Sequence, residues 1–398
     1  MVTRRSLLQG SSFYLLASLL AGCGRQNVAD LRITLLDGSV PVQLIDEFEQ
    51  AVSRQTHLNF KAVEQLSDAF QQLIQWQRQA DETASADNGG FSLWRSRPQP
   101  GSDLISLGDF WLAPAIQYEL IRPLNRDRLS QWSQLPPRWQ QLVQRDEQGQ
   151  LSRTGQIWGA PYRWGSLMIV YRVAASKEWG WVPQDWTDLW RPELAQRLVL
   201  LDSARTVIGL TLKRLGASAN VDDLVAIADL EETLLALHRQ VKLYSSDAYQ
   251  QPLLLRDADV AVGWSTDVVP LVKRDRRFAA VVPPSGTLLT ADLWVQPAAA
   301  EENNAPGGDR SLATSEAIGQ WIDFFWQLPN ALQFSLLNVA ASPLLLAQER
   351  STLPPTLRNN SLLLPEPAII DQSDFLYPLS PEVAEAYQAL WIKVRQTG

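Results

Sequence analysis

Between residues 31 and 63 the apolar positions change period twice, and this constrains the fold more than any other feature of the chain. Leu31, Ile33 and Leu35 alternate as in a strand, Leu44, Ile45, Phe48 and Val52 share one face of a helix that Pro41 opens, and Leu58, Phe60 and Ala62 alternate again. Strand, helix, strand is a βαβ unit, whose parallel strands must be covered by helices. A helix from Ser67 to Ala80 and the run Asp103 to Leu107 extend the series, with the polar stretch 81–101 predicted as a loop between them. A second series starts at Gly159-Ala160-Pro161-Tyr162 and the apolar strand Leu167 to Tyr171, with helices predicted near 185–192, 206–215 and 222–240 and strands at 198–202, 260–264 and 279–282. After another polar loop at 300–311, Ser315 is predicted to cap a helix bearing Ile318, Trp321, Ile322 and Phe325, which Pro329 ends. The six prolines of 352–381 predict a wrap over the surface, and Ser380-Pro381-Glu382 opens a last helix with Val383, Tyr387, Leu390, Trp391 and Val394 on one stripe.

With 398 residues, 45% of them hydrophobic, the chain is long enough for two such α/β units. The net charge of −8 leaves no basic footprint for a phosphate backbone, so nucleic acid is excluded as a partner. One cysteine and two histidines exclude a disulfide framework, a thiolate zinc site and a histidine-rich metal centre, and no G-x-G-x-x-G or G-x-x-x-x-G-K-[ST] run offers a phosphate cradle. No metal or cofactor is therefore expected. A serine triad would need His57 or His238, which read as surface or helix-packing residues. The carboxylate pairs Asp222-Asp223 and Glu231-Glu232 point about 100° apart on a helix, which suits a solvated face rather than an acid and base. Tryptophan is the outlier, with 16 in the chain. Its flat face attracts cations and its bulk fills cores; Trp321, Trp326 and Trp391, on amphipathic helices, read as packing.

The N-terminus predicts export. Arg4-Arg5, an apolar stretch from Leu7 to Leu20 and small Ala21-Gly22 precede the sole cysteine, Cys23. The stretch is short for a bilayer span and fits the core of a signal peptide covering residues 1–22. Leu20-Ala21-Gly22-Cys23 resembles the bacterial lipobox, which implies cleavage before Cys23 and a lipid on its thiol. Thr3-Arg4-Arg5-Ser6-Leu7-Leu8 resembles the twin-arginine motif, though two arginines serve an ordinary signal peptide as well.

The runs GQIWGAPYRWGSLMIVYR (155–172), DWTDLWRPELAQRLVLLDSARTVIGLTLKRLGASAN (185–220) and VAVGWSTD (260–267), with the stretch Gly286 to Pro297, resemble the solute-binding proteins of bacterial ABC importers. Within that class they are most similar to the spermidine/putrescine receptors. The resemblance implies a two-lobed periplasmic-binding-protein fold of type II, each lobe a mostly parallel sheet flanked by helices. Lobe 1 is expected from 24–163 plus 287–329 and lobe 2 from 166–284 plus 334–398, with crossings near 163–166, 284–288 and 329–334. It also implies a lipid-anchored monomer on the outer face of the membrane that carries a small solute, a polyamine-like cation, to an ABC permease without catalysis. Carried over residue by residue, Trp264 matches a tryptophan of the binding cleft and Asp292 a carboxylate that holds an ammonium group. The family's acidic pair falls instead at the uncharged Ser203 and Thr206. Other pocket positions fall at Thr290, Leu36, Gly108, Phe110 and near Ala340, so Asp267 and Asp202 are the candidates for restoring the missing charge. Arg163, Trp164 and Asp109 lie near the expected cleft. Two other readings stay open: an accessory or sensor lipoprotein that keeps the fold without transport, and an extracytoplasmic glycoside hydrolase.

Overall fold

A computed structural model describes residues 29–52, 56–87, 101–298 and 309–397; Cys23 and the N-terminal segment lie outside the described residues. All the described strands but one pair, Gln144–Arg145 with Gln156–Ile157, form one mixed sheet running through the molecule, and its main path takes eight of them. Their order is Thr56–Val63, Ala29–Leu36, Leu104–Gly108, Leu288–Pro297, Ala160–Arg172, Val260–Trp264, Leu198–Leu200 and Val241–Tyr244. The first three are mutually parallel, and so are the last three, as βαβ connections require. The two long strands between them run antiparallel to each other and to their outer neighbours.

Those two long strands belong to both halves. Buried apolar residues fall into two cores, and along Ala160–Arg172 the membership changes between Trp164 and Leu167. Along Leu288–Pro297 it changes back between Leu288 and Leu289. Each lobe is thus an α/β unit around its own core, and the lobes share a pair of crossing strands. Thr287 ties the crossing, its hydroxyl donating to Leu167 O at 2.6 Å and its N–H to Ser373 Oγ at 2.9 Å. Gly286 sits at φ +92°, and a Cβ there would lie 2.3 Å from Gln372 O, so only glycine lets the two backbones meet at this point.

The third crossing differs from the sequence expectation. Residues 334–398 were expected in lobe 2, but Phe334, Ala341, Leu344, Leu345, Leu353, Leu357, Leu363, Leu364, Ile370 and Phe375 pack in the first core. Val339, Leu362 and Ile369 pack against the second core as well, and from Leu376 onward the apolar residues turn mainly to it, where Tyr387, Trp391 and Val394 are buried. The short turns of 343–375 place single leucines without a readable period, so sequence spacing could not assign them a core. Most of the proline-rich segment 352–381 lies at the surface, anchored by single buried residues such as Leu353, Leu357, Leu363 and Leu364. It adds the strand Asp374–Phe375, parallel to Leu288 and Leu289.

Three local expectations also shift. The helix Leu66–Asp87 runs past Ala80, because Asp81 to Asp87 contains no glycine or proline to stop it. Ser315 lies inside the helix Asp309–Phe325 rather than at its start. Pro329 stands in the first turn of a new helix, Leu328–Leu337, where its missing N–H has no intrahelical partner to lose. Trp321, Trp326 and Trp294 are fully buried in the first core, with the Trp294 ring stacked on Tyr162 at 4.3 Å. Among the described residues no helix is long and apolar enough to cross a membrane.

Candidate functional site at the crossing strands

The crossing strands set the site. Their antiparallel register puts Arg163 directly opposite Asp292, and cross-strand partners are the closest neighbours a sheet provides. The Arg163 Nε donates to Asp292 Oδ2, and each side chain is only 6% exposed. Burial opposes the guanidinium's charge, but the fields of Asp292 and Tyr162, the hydrogen bond to Asp292 and the field of Asp267 hold its pKa above the ordinary value. The guanidinium also stands 6.0 Å from the centre of the Tyr162 ring. Asp292, expected from the resemblance to hold a ligand's ammonium group, is paired in this structure with a cation of the chain itself.

Asp109 approaches from the end of the strand Leu104–Gly108. Its Oδ1 accepts from Thr290 Oγ1 at 2.8 Å and from the Ala291 N–H at 3.0 Å, and the residue is buried. Burial pushes its carboxyl up from 3.8 to about 6; the Ala291 and Thr290 hydrogen bonds and the Arg145 field oppose this, and the Asp292 field adds to it. A carboxyl that binds its proton more tightly when folded gives stability that is full below about pH 4 and is lost as pH rises through about 6. Asp109→Asn is therefore expected to lose less stability than the parent between pH 4 and pH 7, measured by urea unfolding at both values. Equal losses in the two proteins would remove the assignment of the raised pKa to this residue.

From the second lobe comes Asp267, in the first turn of the helix Ser265–Arg274. Tyr249 donates its hydroxyl to Asp267 Oδ2 at 3.1 Å, and Gln250 donates to the Asp267 carbonyl at 3.1 Å. Asp267 is exposed to solvent. Even so, loss of solvation raises its pKa, with the Tyr249 hydroxyl and the Arg163 field opposing and the Asp292 field adding. Solvent on one side and protein on the others accounts for both observations. Among the described residues no cationic side chain pairs with Asp267; Arg163 reaches it only through its field. Two glycines make this approach possible. A Cβ at Gly263 would sit 2.2 Å from the Tyr249 ring, and one at Gly165 would sit 2.6 Å from Ser265 Oγ, which accepts the Ser166 N–H at 3.0 Å.

The remaining candidates separate into two groups. Trp264 ends the strand Val260–Trp264, three residues before Asp267, and is half-buried against the second core. Asp202, Ser203 and Thr206 are engaged elsewhere. Asp202 is exposed and paired with Arg395 at 2.8 Å. Ser203 caps the helix Ala204–Arg214, its Oγ accepting from the Thr206 N–H at 3.3 Å and from the Thr206 hydroxyl at 3.0 Å. Their uncharged side chains thus serve the helix end. Sequence reasoning missed Tyr249, which lies in a turn without periodicity. It ranked Arg163 low, since nothing local shows that the residue opposite is an aspartate. His57 is exposed, 3.5 Å from Asp30, and His238 Nδ1 is 2.9 Å from the Tyr244 hydroxyl. Among the described residues no group of three or more acidic, histidine or cysteine side chains is placed to hold a metal ion.

The site thus sets Asp292 against the Arg163 guanidinium with Asp267 within reach of its field, while Asp109 stands near Asp292 and is held by Thr290 and Ala291. A sequence profile of the family described as bacterial extracellular solute-binding protein matches residues 100–371. The spermidine/putrescine-binding periplasmic protein 1 of Haemophilus influenzae is 27% identical over 203 residues, 51% of this chain and 54% of that protein. The chain thus spans about half the length of that relative. The spermidine/putrescine-binding periplasmic protein of Escherichia coli is 23% identical over 273 residues, 69% of this chain and 72% of that one. A solved structure, the spermidine/putrescine ABC transporter substrate-binding protein PotD from Streptococcus pneumoniae, has a TM-score of 0.71 at 19% identity, covering 92% of this chain and 99% of that one. At that identity the likeness establishes the two-lobed fold.

Proposed function

This chain belongs to the bacterial extracellular solute-binding proteins, and from that premise we propose that it captures a small organic amine between its lobes. The observation that carries this reading is Asp267, a carboxylate that solvent reaches, that protein surrounds, and that pairs with no cationic side chain among the described residues. A ligand ammonium entering there gains a charge-assisted hydrogen bond in a poorly solvated place, while the Trp264 ring offers a face for methylene groups. The relatives named for spermidine and putrescine support the same class of ligand.

The crossing strands 160–172 and 288–297 serve as the hinge in this reading, and the lobes on either side keep their cores as they close. A ligand touching Asp267 on one lobe and the Arg163–Asp292 neighbourhood on the other binds the closed form better than the open one. That difference in affinity is what shifts the population. An ABC permease then receives the solute from the closed form, and no bond of the ligand changes. Export by the signal at residues 1–22, through the twin-arginine or the general route, and a lipid at Cys23 would tether a monomer at the outer face of the membrane. The mass of the mature protein tests the tether, since a species without added lipid removes it.

Thermal unfolding with putrescine, spermidine, monoamines, amino acids and sugars tests the amine reading. A ligand at 100 times its dissociation constant adds about 2.7 kcal/mol to stability, so an amine is expected to raise the transition. A shift only with amino acids or sugars would reject the amine. No shift with any of them would favour an accessory lipoprotein that keeps the fold without transport.

A further inference from the structure

We propose that Arg163 is a built-in counter-cation that selects ligands by charge number. The site then takes an amine with one charged group, either a monoamine or a diamine acylated at one end, in preference to a free diamine. This rests on the amine reading above and narrows it.

The carboxylates near the crossing differ in what already occupies them. Asp292 holds Arg163 in a strand-registered pair whose side chains are both 6% exposed. Asp109 accepts two hydrogen bonds, from Thr290 and Ala291. Further off, Asp202 is bound to Arg395 at 2.8 Å. The remaining candidates, Ser203 and Thr206, spend their hydroxyls on one another. Asp109 too meets only neutral donors, but it is buried; among the described residues Asp267 is the exposed carboxylate of the cluster that no cationic side chain pairs, its Oδ2 accepting the Tyr249 hydroxyl. One ammonium therefore finds a counter-charge. A second would have to expel a guanidinium that the backbone holds in register, or lie beside it without a partner, and an unpaired charge away from water is strongly disfavoured. The occupant of Asp292 is part of the chain, so it cannot diffuse away when a diamine arrives.

Putrescine and N-acetylputrescine differ by one charge at nearly the same length, and calorimetric titration of the protein with each reads the inference directly. N-acetylputrescine is expected to bind at least about tenfold more tightly, a difference of about 1.4 kcal/mol. In Arg163→Gln, which frees Asp292, the preference is expected to reverse, and putrescine is expected to raise the variant's unfolding temperature more than N-acetylputrescine does. Should that variant fail to fold, the double variant Arg163→Gln, Asp292→Asn carries neither charge and is expected to keep the parent's preference. Putrescine binding as well as N-acetylputrescine in the parent would overturn the inference while leaving the amine reading intact. An unchanged preference in Arg163→Gln, or a reversed one in the double variant, would overturn it too. If neither compound binds and no other amine does, the amine reading fails and the inference goes with it.

Discussion

Asp267→Asn is expected to weaken amine binding by roughly 30- to 4,000-fold, the range seen when one partner of a desolvated charge pair is removed from an interface. The substitution keeps the side chain's shape and an oxygen that can accept the Tyr249 hydroxyl, so what it removes is the charge. That charge counts more here than on an open surface. Loss of solvation already raises the Asp267 pKa, and closure around a ligand would remove the remaining water. The folded state pays for keeping this carboxylate ionised, so the variant's unliganded unfolding midpoint is expected to equal or exceed the parent's. Titration calorimetry and denaturant unfolding together decide the matter: unchanged affinity removes Asp267 from the site, and lost affinity with lost stability makes it a structural residue.

The largest expected effect on stability is at the crossing pair. Arg163→Met retains most of the unbranched stem and removes the guanidinium, leaving the Asp292 carboxylate in a place that water barely reaches. Breaking a buried pair from one side costs about 3–5 kcal/mol, because the orphaned charge has lost its solvation and gained nothing in exchange. Removing both charges is different. Arg163→Met with Asp292→Leu is expected to recover most of that loss, since two apolar side chains need no solvation. Urea unfolding of the parent, the single and the double variant measures both values. A single variant that costs less than about 1 kcal/mol would mean that Asp292 finds another partner or a proton without difficulty. The inference that Arg163 is a fixed counter-cation would not survive that result.

How much of this was legible in the chain depends on the distance over which each feature is decided. Leu31, Ile33 and Leu35, then Leu44, Ile45, Phe48 and Val52, announce strand and helix because period is a property of neighbours. The two α/β units were readable for that reason. The segment 343–375 was not, because its leucines enter the first core from short turns with no period. The site divides along the same line. Asp267 and Trp264 lie within one short run and could be named together from the sequence. Asp202 could be named as well, but its pairing with Arg395, 193 positions away, could not.

What the sequence by itself determined is therefore the order of strands and helices and the acidic balance of the chain. What only the tertiary structure decided is which charges meet. Arg163 and Asp292 stand 129 positions apart, and their pairing follows from the register of two antiparallel crossing strands. A slip of one residue would turn each side chain to the opposite face of the sheet. Helix and strand periods arise from contacts a few residues away, so they are written in the local sequence. The partner of a buried charge is set by chain segments that only folding brings together, as Arg163 and Asp292 show.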